Sequence, residues 1–253
     1  MNTPRPATRP ALPTAATPEG RQPAPTAMTA SMASKSRGAL ALVGLVMACS
    51  LAHAADAKVG NPDAAKTKIA MCIGCHGIPG YQASFPEVYK VPMIAGQSAK
   101  YIASALTAYQ KGDRKHPTMK GIATSLSEQD ILDLGAYYEA LGKDLPARSG
   151  KTGAPSAEVA ALLQKGNCAS CHGEGLNKPI DGAYPKLAGQ HADYLYVALK
   201  AYQTEGNAQV GRSNAIMAGQ AKMFTHAELK TLANYIGGLG SDLKTVPQAK
   251  FKK

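Results

Sequence analysis

Residues 71–80 read MCIGCHGIPG, and residues 167–175 read NCASCHGEG. Each stretch holds two cysteines separated by two residues and followed at once by histidine: Cys72, Cys75 and His76, then Cys168, Cys171 and His172. The chain has five cysteines, so four of them serve two copies of one short pattern. Two thiols so spaced, with His next, form the attachment pattern for c-type haem. On a helical turn the thiols reach the two vinyl groups of a porphyrin and form thioethers, while the following imidazole swings beneath the ring toward iron. A structural zinc site wants its Cys-x-x-Cys pairs about 15–20 residues apart, whereas these recur at an offset of 96. A redox pair wants a βαβ context that the sequence lacks, and plain disulfides give the two histidines no role. Two haem c groups per chain, held covalently by Cys72, Cys75, Cys168 and Cys171, are the expectation.

Working outward, the whole region is written twice. VPMIAGQSAKYIASALTAYQ from Val91 lies over YPKLAGQHADYLYVALKAYQ from Tyr184 at an offset of 93. MKGIATSLSEQDILDLGAYYEALG from Met119 lies over MAGQAKMFTHAELKTLANYIGGLG from Met217 at an offset of 98. Blocks in the same order in both halves mark a tandem repeat, with domains expected at 58–143 and 156–241, a Gly-, Pro- and Lys-bearing linker at 144–155 and a basic tail at 242–253.

Each repeat reads as helical. Asn61 before Pro62 suits a cap and first turn for a helix running into Cys72, and its counterpart begins near Ser156. Tyr101, Ile102, Ala105, Leu106 and Tyr109 share one helical face, as do Tyr194, Leu195, Ala198, Leu199 and Tyr202. Ser127–Asp130 and Thr225–Glu228 are capping boxes that open the last helix of each repeat. No stretch alternates long enough for a strand. With no Trp, three Phe and 45% hydrophobic residues, a repeat of this size buries only about 60–70% of its unfolded surface. A cofactor would supply the missing core.

The N-terminal part reads as something other than fold. Residues 1–31 are rich in Pro, Ala and Thr without apolar period, as in a disordered extension or a start codon set too far upstream, with Met28 or Met32 as alternatives. Residues 32–54 then order positive charge at Lys35 and Arg37, an apolar run to Leu51, and the small-residue site AHA, the order of a secretory signal cut after Ala54. An uncleaved leader would act as a membrane tether, and Cys49 sits in a poor context for lipidation. The chain after Ala54 is expected to be exported to the periplasm, soluble and monomeric. The net charge is +11 for the full chain, and 23 Lys and Arg against 16 Asp and Glu remain after Ala54. That excess is too diffuse and too poor in Arg to indicate nucleic acid, and suits docking on acidic protein faces.

From these residues the chain resembles the tandem two-haem class I cytochromes c of the c-four subclass. The likeness covers nearly all of residues 58–241 and rests on the two Cys-x-x-Cys-His motifs, on PMIAGQ and PKLAGQ, and on the two Met-led terminal blocks. It implies an all-α fold of two small helical domains, each wrapped around a covalent haem. It also implies a periplasmic carrier of single electrons between partners such as quinol–cytochrome c reductase and a terminal oxidase, free or loosely membrane-associated. A cytochrome subunit of a periplasmic dehydrogenase complex and a dihaem peroxidase are the alternatives.

A carrier needs iron closed on both faces. Among Met71, Met93, Met119, Met217 and Met223, only Met119 and Met217 occupy equivalent places, each shortly before the last helix of its repeat. They are the expected partners of His76 and His172, and their soft thioether sulfur favours the ferrous state. His116 competes in the first repeat, where Asn214 holds the matching place in the second; it, His191 and His226 read as surface or helix-end residues. By the family resemblance, the carbonyls of Pro92 and Pro185 would hold the proximal imidazoles, and Gly96 and Gly189 would let backbone approach the haem. Tyr101, Tyr109, Tyr194 and Tyr202 are candidates for haem propionates. The longer, more aromatic segment 77–91 of the first repeat would cover a haem edge and make the two centres unequal.

Overall fold

The structure, a computed structural model, describes residues 58–151 and 154–248. The leader and the segment before it, residues 152–153 of the linker and residues 249–253 of the tail lie outside the described residues.

In the first repeat, Asn61 Oδ1 accepts the Asp63 N–H at 3.0 Å, and the chain enters a 3₁₀ turn, Ala64–Thr67, before helix α1, Ala70–His76. The single helix expected from Asn61 into Cys72 is therefore two pieces. Ala65, Ile69 and Ile73 are buried along both, so four-residue spacing keeps the apolar stripe continuous although the hydrogen bonding is not. Helix α2, Ala99–Lys111, ends at Gly112 in the left-handed conformation (φ 82°). Helix α3, Pro117–Thr124, has Pro in its first turn. Helix α4, Glu128–Leu141, opens with Ser127 and Asp130 in the reciprocal hydrogen bonds of a capping box.

The second repeat follows the same plan. Helix α5, Ala157–Lys165, is capped by Ser156, and the short helix α6, Ala169–His172, carries the second haem motif. Helices α7, Ala192–Gln203, α8, Ala215–Lys222, and α9, His226–Gly237, complete it, the last opened by the Thr225–Glu228 capping box. Among the described residues, four strands of two residues each appear where none was expected, because such pairs are too short to show alternation. β1, Gln82–Ala83, and β2, Tyr89–Lys90, pair as a hairpin inside the long segment of the first repeat. β3, Arg114–Lys115, pairs antiparallel with β4, Gly211–Arg212, and so joins the two repeats.

Two apolar cores result. Ile73, Ile102, Leu126, Ile131, Leu134 and Tyr138 meet in the first, where α2 packs on α4. Leu162, Leu195, Phe224, Leu229, Leu232 and Ile236 meet in the second, where α7 packs on α9.

Linker and tail are more than tethers. Arg148 pairs with Ser241 as an isolated bridge, and Ala95 pairs with Lys244. Leu243 is fully buried, Val246 packs on the first core, and the Tyr137 hydroxyl donates to Gln248 Oε1 at 3.2 Å. The expected basic tail thus returns, over 242–248, along the first repeat. Gly96 (φ 83°) and Gly189 (φ 66°) make this approach possible: a Cβ would lie 2.5 Å from Asp242 O at the first and 2.4 Å from Ser241 Cβ at the second. The close neighbour is the backbone of Asp242 for Gly96, and the Ser241 side chain and Leu239 carbonyl for Gly189.

Candidate functional site

Each Cys-x-x-Cys-His motif sits at the end of a short helix that leaves its histidine last. His76 closes α1 and His172 closes α6. His76 Nδ1 lies 2.8 Å from the Pro92 carbonyl oxygen, and His172 Nδ1 lies 2.9 Å from that of Pro185. A carbonyl only accepts, so Nδ1 donates in both repeats and Nε2 keeps a free lone pair. Burial pushes the pKa of His76 down, its bond to Pro92 opposes this, and the charges of Arg114 and His116 lower it further. Burial likewise lowers His172 against the pull of Pro185. Both rings are therefore held neutral, as a metal ligand must be. All four motif cysteines are half-buried and none is in a disulfide; before attachment, burial raises the pKa of the Cys72 and Cys168 thiols.

Met119 and Met217 occupy the same place in the two repeats, the third residue of α3 and of α8. Their backbone N–H groups are capped by the preceding loop residue: His116 Nδ1 accepts from Met119 at 3.3 Å and Asn214 Oδ1 accepts from Met217 at 2.9 Å. His116 thus works as a helix cap, the job Asn214 does opposite it, although its Nε2 is screened from solvent and makes no hydrogen bond. His191 flanks the start of α7, and His226 begins α9 with its ring edge toward Tyr196. Of the unpaired methionines, Met93 is buried with its sulfur 3.2 Å from Arg148 Nη1, while Met71 and Met223 are exposed.

Arg114 and Arg212, which face each other in the β3–β4 pair, form a group that the sequence reading passed over. The Arg114 guanidinium donates to the Tyr194 hydroxyl at 2.7 Å and to that of Tyr101 at 3.3 Å; Arg212 donates to Tyr194 at 3.1 Å. The ring of Tyr109 lies 4.7 Å from Arg114 Cζ and that of Tyr202 lies 5.3 Å from Arg212 Cζ. Neither arginine has a carboxylate partner among the described residues, and Arg114 Nε is screened from solvent without a hydrogen bond. Burial pushes Tyr101 up to about 12. Burial also raises Tyr194, but Arg114 and Arg212 outweigh it and hold that hydroxyl down at about 8. Two cations that draw a buried phenol toward its anion mark a place for negative charge. The four tyrosines singled out for propionates do surround this place. The missed signal was the offset of 98 that Arg114 and Arg212 share with Met119 and Met217.

The long segment of the first repeat reaches across to the second. Tyr89 is buried with its ring 6.1 Å from that of Tyr194, the Lys90 N–H donates to Asp193 Oδ2 at 3.1 Å, and Glu87 pairs with Lys200. Phe85 lies edge-on to His116 at 6.1 Å.

The donor set therefore fits haem on two independent grounds: neutral, carbonyl-held imidazoles beside paired thiols, and arginines that lack the anions which propionates would supply. Two such motifs in tandem helical repeats define a dihaem c-type cytochrome. Residues 156–240 match the Cytochrome c family. Cytochrome c4 of Thiocapsa roseopersicina is 32% identical over 206 residues, 74% of this chain and 97% of that protein. The thiosulfate dehydrogenase electron acceptor of Thiomonas intermedia (strain K12) is 30% identical over 186 residues, 68% of this chain and 80% of that protein. The crystal structure of reduced recombinant cytochrome c4 from Pseudomonas stutzeri superposes with a TM-score of 0.52 at 27% identity, covering 72% of this chain and 100% of that one. The chain belongs to the cytochrome c4 family. Its fold is all-α, of two tandem class I cytochrome c domains, and its cofactors are two covalently bound haem c groups.

Proposed function

We propose that this protein carries single electrons between redox proteins through two low-spin haems, one in each of two domains spanning 58–143 and 156–241. Cys72 and Cys75 attach the first and Cys168 and Cys171 the second; His76 with Met119, and His172 with Met217, hold the irons. When bound, haem c supplies a one-electron ferric–ferrous couple. The protein's part is to keep that couple closed. Pro92 and Pro185 fix the orientation and raise the basicity of the proximal imidazoles. Met119 and Met217, on capped helix starts, would offer soft sulfur to the irons and exclude small ligands, which favours electron transfer over peroxide chemistry. The observation that carries this reading is the twofold occurrence of one arrangement, a carbonyl-held terminal histidine together with a capped methionine in the equivalent place.

The residues expected after Ala54 carry a mild basic excess, which suits brief docking at acidic faces of partners such as quinol–cytochrome c reductase and a terminal oxidase. Such contacts bury under about 1,200 Å² and gain rate from charge steering. A sulfur-compound dehydrogenase is a second candidate donor, supported by the likeness to the thiosulfate dehydrogenase electron acceptor. The leader at 32–54 supports export to the periplasm, and among the described residues no helix is long and apolar enough to cross a membrane. Stopped-flow exchange with a small acidic electron-transfer protein tests the carrier role. Rates should fall as ionic strength rises, and added peroxide should produce no turnover; salt-independent rates or peroxide turnover would overturn the reading.

A further inference from the structure

Gln97 and Gln190, the last residues of the two AGQ motifs, are buried to the same 4% exposure, and their side-chain amides find partners in the opposite repeat. Gln190 Oε1 accepts the Met93 N–H at 3.0 Å and Gln190 Nε2 donates to Met93 O at 2.9 Å. Gln97 Oε1 accepts the Lys186 N–H at 2.9 Å and Gln97 Nε2 donates to Lys186 O at 3.0 Å. Met93 and Lys186 are themselves equivalent positions, so the exchange is reciprocal, as at a twofold interface. Each amide is further locked by the next residue's N–H, Ser98 on Gln97 Oε1 at 3.1 Å and His191 on Gln190 Oε1 at 3.0 Å.

The Met93 N–H belongs to the same peptide unit as the Pro92 carbonyl, and the Lys186 N–H to that of Pro185. A peptide unit is planar and polarises as one group. Two chains of hydrogen bonds therefore cross the seam: Gln190 to the Pro92–Met93 peptide to His76 Nδ1, and Gln97 to the Pro185–Lys186 peptide to His172 Nδ1. We propose that Gln97 and Gln190 are crossed positioning residues, each tuning the proximal histidine, and hence the haem potential, of the other domain. An acceptor on the peptide N–H makes its carbonyl a stronger acceptor for Nδ1–H, which raises imidazole basicity and favours ferric iron. Removing the amide from one domain makes the haem of the other easier to reduce. This rests on the reading of His76 and His172 as iron ligands.

The test uses the full-length holoprotein with Gln97→Met and Gln190→Met, which keep length and volume but lose the two hydrogen bonds across the seam and the third to the next residue's N–H. Spectropotentiometry would follow each haem, assigned by its own axial-methionine resonances. Gln97→Met should raise the reduction equilibrium constant of the His172 haem by about threefold, a smaller effect than the roughly tenfold or greater change in metal affinity or activity that loss of a direct outer partner brings; threefold is about 28 mV for one electron. The His76 haem should stay put, and its Nδ1–H resonance with it, while that of His172 moves. Gln190→Met should give the mirror result. Gln97→Asn, which keeps the amide but cannot reach, should move the same haem in the same direction if Gln97→Met takes up less haem. A shift of the haem in the substituted domain, equal shifts in both, or none would overturn the proposal. A parent protein lacking the sulfur-to-iron absorption band would instead remove the ligand reading beneath it.

Discussion

Leu229 tests whether two separate cores melt as one body. It is fully buried in α9 among Leu162, Leu195, Phe224, Leu232, Ala233 and Ile236, and α9 packs on both α7 and α5. Leu229→Ala leaves a cavity lined from three helices that cannot all close in, and such changes cost about 2.7–5.0 kcal/mol; about 3 kcal/mol is a working value. How far the melting temperature falls depends on the size of the unit that unfolds. For a domain of 60–100 residues each kcal/mol is worth about 4–8 °C, and for 150–250 residues about 2–4 °C. The seam contains the reciprocal glutamine bonds, the β3–β4 pair, the Lys100–Asp181 bridge at 2.8 Å and the returning 242–248 segment, so the domains should unfold together. Calorimetry of the holoprotein should show a single transition lowered by about 6–12 °C. An early transition that splits off while the rest stays unmoved would show independent domains, and a shift below about 2 °C would show that Leu229 is not in a tightly packed core.

Other outcomes follow from the same geometry. Met119→Ala and Met217→Ala should each remove half of the far-red sulfur-to-iron band and open one iron to cyanide, read by absorbance; loss of the whole band from a single change, or of none, would contradict the pairing. Ser127→Ala and Thr225→Ala should each cost about 1 kcal/mol by denaturant unfolding, as for other lost caps. Backbone N–H donation from Ser127 holds the Asp130 carboxyl below its usual range, and donation from Thr225, with the Lys165 bond, does the same for Glu228. A lowered folded pKa adds stability that is complete above the unfolded value of about 4 and is lost as pH falls through the folded value. Acid melts should therefore lose stability below about pH 4, and less steeply in Asp130→Asn; an unchanged slope would argue against the cap.

Much of the site was legible because chemistry there is written in local spacing. Cys72, Cys75 and His76 need only one helical turn, and comparison of the repeats gave Met119 and Met217 as the ligand candidates among the five methionines after Ala54. Capping boxes at Ser127 and Thr225 were readable because cap and partner are three residues apart. What crosses between repeats was not readable. Nothing local in AGQ tells a buried amide to seek Met93 or Lys186, some ninety residues away. Arg114 and Arg212 carry no local sign of their role; the strand pair places them together, and neither has a carboxylate partner among the described residues. Leu243 and Val246 lie in a short segment without helical period, so their return to the first repeat left no pattern. Gly96 and Gly189 were recognised as close-approach positions, but the approaching partner is 241–242, a tertiary fact.

The most direct measurement is a pyridine haemochrome assay joined to the ferric and ferrous spectra of protein matured in a cytochrome-competent periplasm. Two thioether-linked haems per chain, both six-coordinate and with a sulfur-to-iron band that cyanide at modest concentration leaves intact, are what the account predicts. One haem per chain, or a spectrum in which either iron binds cyanide at once, would contradict it.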